Sequence, residues 1–139
     1  MHAAQCGFLI AIAFAAPVRA ETPEDVLKFL RNAADALTNE DARTFLDHAD
    51  RNMPVYATLQ RNIEGLMAAY DVESSIEIAN DEGDDQKRTL TLDWVLITEQ
   101  KSDTRGDRMH RRQLLRCTIE KQGKRWKITA LDPVDFFKY

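Results

Sequence analysis

Four residues of the C-terminal half, Trp94, Arg111, Gln113 and Asp132, are of the types that line small-ligand pockets: a flat apolar wall, a cation, an amide and a carboxylate. In such a setting Arg111 would take an anionic or carbonyl group of a small organic ligand. Without a ligand, the same arginine beside Asp132 would be a structural ion pair, its head reaching toward solvent. Both readings are open in the sequence. Asp132 is also the best candidate for a proton-shuttling carboxylate, although a neighbouring guanidinium would favour its charged form and weaken it as a base. His48 could partner Asp132 in general acid–base chemistry if the two came within hydrogen-bond reach. Tyr56 and Tyr70 are the residues expected to close this end of the domain from the helical side.

Other chemistries find little in the pattern. The histidines and cysteines show no zinc-ligand spacing, and neither a metal nor a cofactor is expected. Residues 80–85, NDEGDD, are acidic but lack the alternating acids and distal glutamate of a calcium loop, and they read as a solvated hairpin turn. There is no glycine-rich phosphate loop and no Gly-x-Ser-x-Gly elbow. Cys117, in the middle of an apolar strand face, reads as a small hydrophobe and not as a nucleophile. With 19 basic against 23 acidic side chains and a net charge of −4, the chain is a poor general binder of phosphate backbones. The arginine-rich stretch RMHRRQLLRC, 108–117, then reads as the wet face of a strand, and no nucleic-acid partner is expected.

These residues need a scaffold, and periodicity supplies one. Residues 8–16, FLIAIAFAA, form an uncharged apolar run followed by Pro17 and by Val18-Arg19-Ala20. This reads as a secretory signal peptide over 1–20, cut after Ala20, with an uncleaved interfacial anchor as the alternative. The run is too short to span a bilayer, so no stable membrane insertion is expected after cleavage. Residues 21–139 would form one domain, secreted or periplasmic, with Cys117 as its only cysteine and hence no internal disulfide.

Thr22-Pro23-Glu24-Asp25 predicts a capped helix start, followed by Val26, Phe29, Leu30, Ala33 and Leu37 at helical spacing. Thr38 or Asn39 is expected to cap a short second helix carrying Phe45 and Leu46. Asn52-Met53-Pro54 opens a third, with Val55, Leu59, Ile63, Leu66 and Tyr70 as its stripe.

After Asp71 the period becomes two. A turn at 80–86, a second at 101–107 and a tight Gln122-Gly123 turn predict an antiparallel meander. Pairing Glu99 with Arg108 sets Leu90 opposite Cys117, Leu92 opposite Leu115, Trp94 opposite Gln113 and Leu96 opposite Arg111. A slip by one residue would put the leucines in water. The first hairpin is expected to bring Ile76 near Leu92 and Ile78 near Leu90. Pairing Lys121 with Lys124 would set Ile119 opposite Trp126, Cys117 opposite Ile128 and Leu115 opposite Ala130, with Asp132 and Val134 on the inner face. The outer face would carry Arg108, Arg112 and Arg116 beside Asp93 and Glu99. Val95, Ile97, Leu114 and Arg112 on that face suit a homodimer contact ringed by ion pairs.

Helices followed by a curved antiparallel meander that ends in GKRWKITALDPVDFF resemble the cone-shaped α+β roll, cystatin-like in outline, of the nuclear-transport-factor-two-like (NTF2-like, SnoaL-like) superfamily. The resemblance covers about residues 23–137, and its most specific piece is the last hairpin with Gly123, Trp126, Ile128 and Leu131. It implies N-terminal helices packed on a curved sheet, and a fold that hosts both enzymes and noncatalytic binders. The ketosteroid-isomerase-like members imply a pocket carboxylate, and the dehydratase-like members a His–Asp pair. Asp132 and His48 are the weak matches. The leading expectation is therefore an exported noncatalytic domain that binds a small molecule or assembles with a partner. The alternative is a cofactor-free isomerase or dehydratase, and a third reading is a structural protein whose cavity is filled by its own side chains.

Overall fold

Helix α1 (Glu24–Thr38) starts at Pro23, whose fixed φ suits a helix entrance, and two acids occupy its first turn. In this computed structural model, which describes residues 22–102 and 105–139, the expected cap by Thr22 is not made. Thr22 Oγ1 donates instead to Asp81 Oδ2 at 2.8 Å. The buried stripe of α1 holds Val26, Leu30, Ala33 and Leu37, as the spacing predicts. The proposed signal peptide over 1–20 lies outside the described residues.

Helix α2 (Ala42–Asp47) is capped by Asp41, not by Thr38 or Asn39. The Asp41 carboxylate accepts from the Thr44 amide at 3.0 Å, the usual work of an N-cap acid. Helix α3 (Tyr56–Ala69) begins after a turn in which the Tyr56 amide donates to the Met53 carbonyl, and it buries Leu59, Ile63 and Leu66. Tyr70 ends the helix by turning extended and opens the sheet. No helix among the described residues is long and apolar enough to cross a membrane.

Strands β1 (Tyr70–Gly83), β2 (Lys87–Gln100), β3 (Arg108–Gln122) and β4 (Arg125–Asp132) form one antiparallel curved sheet in the order β1-β2-β3-β4. A short 3-10 helix, Val134–Phe137, follows. The β2–β3 register is the expected one along its whole length, from Glu99 opposite Arg108 through Leu92 opposite Leu115 to Leu90 opposite Cys117. Leu90, Leu92, Trp94, Leu96, Leu115, Cys117 and Ile119 are all fully buried against the helices. On the outer face Arg112 makes a two-toothed pair with Asp93, at 3.0 and 2.7 Å, and Arg108 reaches Glu99 at 3.8 Å.

The two flanking hairpins are offset from the expected pairing by two or three residues because their turns fall elsewhere, and each ladder also contains a β-bulge. In the first, Ile76 lies opposite Trp94 and Ile78 opposite Leu92, then the register shifts so that Asp81 faces Leu90. Gly83 ends the strand with φ +143°, where a Cβ would lie 2.2 Å from the Lys87 carbonyl oxygen. In the last hairpin the two-residue turn is Gly123-Lys124, with Gln122 opposite Arg125 and Ile119 opposite Ile128. The ladder then slips at Thr129, so that Cys117 faces Leu131 and Arg116 faces Asp132. Leu131 is buried at 2 % exposure, whereas Ala130 and Asp132 are exposed. Strict alternation cannot bury both Ile128 and Leu131, three residues apart; the bulge does so by letting one residue go unpaired. Asp132 therefore leaves the inner face on which alternation had placed it.

Candidate functional site

Trp94 lies at the centre of the cone with no solvent exposure, and its indole N–H donates to Ser74 Oγ at 2.8 Å. Three aromatic rings surround it. Phe137 meets it edge-on at 5.0 Å between centroids, Phe45 at 6.1 Å and Phe136 at 6.4 Å. Such pairs contribute roughly 0.5–1.5 kcal/mol each beyond the area they bury. Two of the three rings come from the 3-10 helix after β4, so the C-terminal segment fills the space that Trp94 was expected to wall.

Arg111 has the expected inner-face parity, opposite Leu96, but it does not meet Asp132. Its Nη1 donates to the Phe136 carbonyl at 3.2 Å and also to the Lys138 carbonyl. Asn62 of α3 donates to the Val134 carbonyl at 3.0 Å. Tyr139 lies over Gly65, where any Cβ would fall 2.0 Å from its ring. The segment after β4 is thus held by an arginine, a buried amide and a glycine notch. The cationic end of the expected pocket serves main-chain carbonyls.

The remaining candidates scatter. Gln113 is exposed, as is Asp132 on the other side of the sheet. Tyr56 and Tyr70 are half-buried and pack on the core from the two ends of α3. His48 is at the end of α2, its Nδ1 bonded to the Thr44 carbonyl at 2.7 Å and its ring 5.0 Å from Phe29. It lines a surface groove of about 730 Å³ with Phe29, Trp126, Lys28, Asp47 and Arg125, to which Asp132 does not contribute. Within that groove the Trp126 indole N–H donates to Asp25 at 2.9 Å and holds its carboxyl below the usual range. The His48–Asp132 pair is not formed.

The buried ion pair of the inner face is a different one. Arg88 has the parity of Leu90 and Trp94, and the β1 bulge brings Asp81 beside it. Nε and Nη2 donate to the two Asp81 oxygens at 2.9 and 3.1 Å, and Nη1 donates to the Asp84 carbonyl at 3.0 Å. Asp84 Oδ1 accepts the amides of Gln86 and Lys87, so the acidic turn is built from its own hydrogen bonds. Cys117 is fully buried, and burial pushes its thiol up to about 12, which suits a packing role.

A second groove, of about 760 Å³, runs between α1 and β1, with Leu27, Leu30, Ile76 and Ile78 on its walls and Thr22 and Asp81 at one end. Among the described residues, no three histidine, cysteine or acidic side chains are grouped to hold a metal ion.

No family model matches the chain, and neither does any curated protein. Solved structures do. A conserved protein from Planctomyces limnophilus superposes with a TM-score of 0.67 at 8% identity, over 77% of this chain and 90% of its own. A protein of Novosphingobium aromaticivorans, provisionally named a scytalone dehydratase, gives 0.66 at 9% identity over 77% and 78%. An NTF-2-like protein of unknown function from Shewanella oneidensis gives 0.59 at 13% identity over 77% and 93%. The chain therefore has the NTF2-like fold: helices packed on a four-stranded curved antiparallel sheet.

Proposed function

We propose that this protein is a noncatalytic assembly domain that pairs with a second copy through the outer face of its sheet. The observation that carries this reading is the filling of the cone by Phe45, Phe136 and Phe137 around Trp94, with Asp132 facing the other way. A small organic ligand in the cone, or isomerase or dehydratase chemistry there, would require the C-terminal segment to leave. The dehydratase alternative draws on the provisional name of the Novosphingobium protein. Export is proposed from the apolar run at 8–16 alone.

Charge on the outer face supports a particular dimer. Strand β1 presents Asp71, Glu73 and Glu77, while β3 presents Arg108, His110, Arg112 and Arg116, all exposed. Between them β2 carries the half-buried Val95 and Ile97, and Leu114 of β3 is 58% exposed. When two such faces meet about a two-fold axis along β2, the acids of each β1 lie over the cations of the other β3. An axis across the strands would stack acids on acids. Isologous contacts of this sort need self-complementary patches, and only the first arrangement offers one.

Light scattering after size exclusion tests it. The expected result is a dimer that weakens with added salt and is converted to a monomer by Leu114→Asp, a change at an exposed site that leaves the core intact. A parent protein that stays monomeric throughout the micromolar range would overturn the reading. Proton exchange on a panel of ketones addresses the enzyme alternative, and exchange well above background would displace the proposal.

A further inference from the structure

Strand β1 is an edge of the sheet, and α1 lies along it. The Ser74 amide points away from β2 and donates to Thr38 Oγ1 of α1 at 3.0 Å. From Ser74 to Ile78 the β1–β2 ladder is uninterrupted. Main-chain groups in an antiparallel ladder alternate between inward and outward with a period of two. The amides and carbonyls of Ile76 and Ile78 therefore also face away from β2, and no hydrogen bond from α1 reaches them as Thr38 reaches Ser74. Helix and strand are tied at both ends of this stretch, by Thr38 to Ser74 and by Thr22 to Asp81. Between the ties lies the groove of about 760 Å³. At the rise of a strand, the distance from Ser74 to Asp81 is roughly 23 Å, room for about six extended residues.

The groove is apolar along its middle, with Arg31 and Asp35 of α1 also on its lining. Leu27, 41% exposed, Leu30, Ile76 and Ile78 form an apolar floor. Glu73 and Glu77 stand exposed on the other face of β1. A strand added to this edge would place alternate side chains on the floor and the others beside the two glutamates. A second β1 is a poor occupant, because it would set the same acids next to each other.

We propose that the β1 edge binds an extended segment of another protein in which apolar residues alternate with lysine or arginine, adding a fifth strand to the sheet. Such binding draws affinity from main-chain hydrogen bonds and specificity from alternate side chains. The bulge at Ala79 and Gly83 limit the paired stretch to the part of β1 that flanks the groove.

The test uses the full chain and a fluorescein-labelled seven-residue peptide of alternating valine and lysine, followed by anisotropy. Saturable one-to-one binding is expected. Replacing the lysines by glutamates should weaken it at least tenfold, on the order expected for misplaced like charges. N-methylation of one alternate set of peptide amides should abolish binding, and methylation of the other set should leave it nearly unchanged. Leu27→Gln, at an exposed helix position, should weaken binding by about tenfold or more through lost apolar contact. Leu114→Asp, which would free Glu73 and Glu77 from the proposed dimer face, should bind at least as well as the parent, so that peptide binding survives loss of the dimer. No saturable binding, equal binding of the glutamate peptide, or tolerance of both methylation patterns would overturn the proposal. So would a dimer joined through β1.

Discussion

Arg88 grips both carboxylate oxygens of Asp81 across the first hairpin, at 2.9 and 3.1 Å, with each side chain only 6% exposed. Thr22 adds a third contact to the same carboxylate, so the pair joins β1, β2 and the entrance of α1. Removing one member leaves the other charged and buried. Asp81→Asn or Arg88→Met should each cost about 3–5 kcal/mol of stability. Replacing both together by apolar residues should cost clearly less than the two single losses added. Urea denaturation of the four proteins measures this cycle. A loss near that of an exposed pair, below about 1 kcal/mol, would mean that the site is solvated.

Arg111 should prove to anchor the C-terminal segment and not to answer Asp132. Arg111→Met removes charge-assisted bonds to the Phe136 and Lys138 carbonyls, worth about 1.5–3 kcal/mol each where they are shielded and less where water competes. Amide exchange in residues 134–138 should quicken markedly, while protection in β2 and β3 falls only with global stability. Asp132→Asn, at an exposed outer-face position, should change stability by less than about 0.5 kcal/mol. Equal effects of the two substitutions would restore the ion-pair reading.

Much of this architecture is legible in residue types, and the exceptions share a cause. The β2–β3 register can be read because Leu90, Leu92, Trp94 and Leu96 oppose Leu115 and Cys117 in only one phase. The flanking pairings cannot be read so directly, since residue types do not fix which residues form each turn and each ladder contains a bulge that alternation does not encode. Leu131, three residues after Ile128, is the local sign of the second bulge. Arg88 shares the parity of Leu90 and is therefore legible as an inner-face arginine, but the acidic turn beside it suggests solvent. Only the bulge that delivers Asp81 explains its burial. Phe136 and Phe137 have no periodicity that announces where they pack. Their place beside Trp94 depends on how far β4 and the following chain fold back over the sheet. Trp94 is at the centre of the inner face, and the space beside it is taken by residues whose position is a tertiary outcome.

The aromatic filling predicts that the cone can be opened by truncation. Phe137 is fully buried between Phe45, Phe136 and Trp94. Phe137→Ala should destabilise by about 3–5 kcal/mol, the range for losing a large buried ring and leaving a cavity. The vacated space is apolar and should accept a small aromatic such as benzene or indole, raising the midpoint of thermal unfolding in a concentration-dependent way. Binding of the same probes by the parent protein at comparable strength would show that the interior is already open.

Cys117 gives a pH dependence with a definite sign. Burial raises its thiol from 9.0 in the free group to about 12 in the folded chain. The folded state therefore keeps the proton where the unfolded state would lose it. The resulting stabilisation is complete below pH 9 and is lost as pH rises toward 12. Other groups also titrate in this window, so the informative quantity is the difference between the parent and Cys117→Ala. The variant should lose about 1–3 kcal/mol at neutral pH for the packing it gives up, and this deficit should shrink as the pH is raised above 9. In parallel, Cys117 of the native protein at pH 8, followed by peptide mapping, should react with iodoacetamide only as fast as the protein unfolds, and urea should release full reactivity. Rapid alkylation of Cys117 in the native chain would place that thiol at the surface and remove the basis for both expectations.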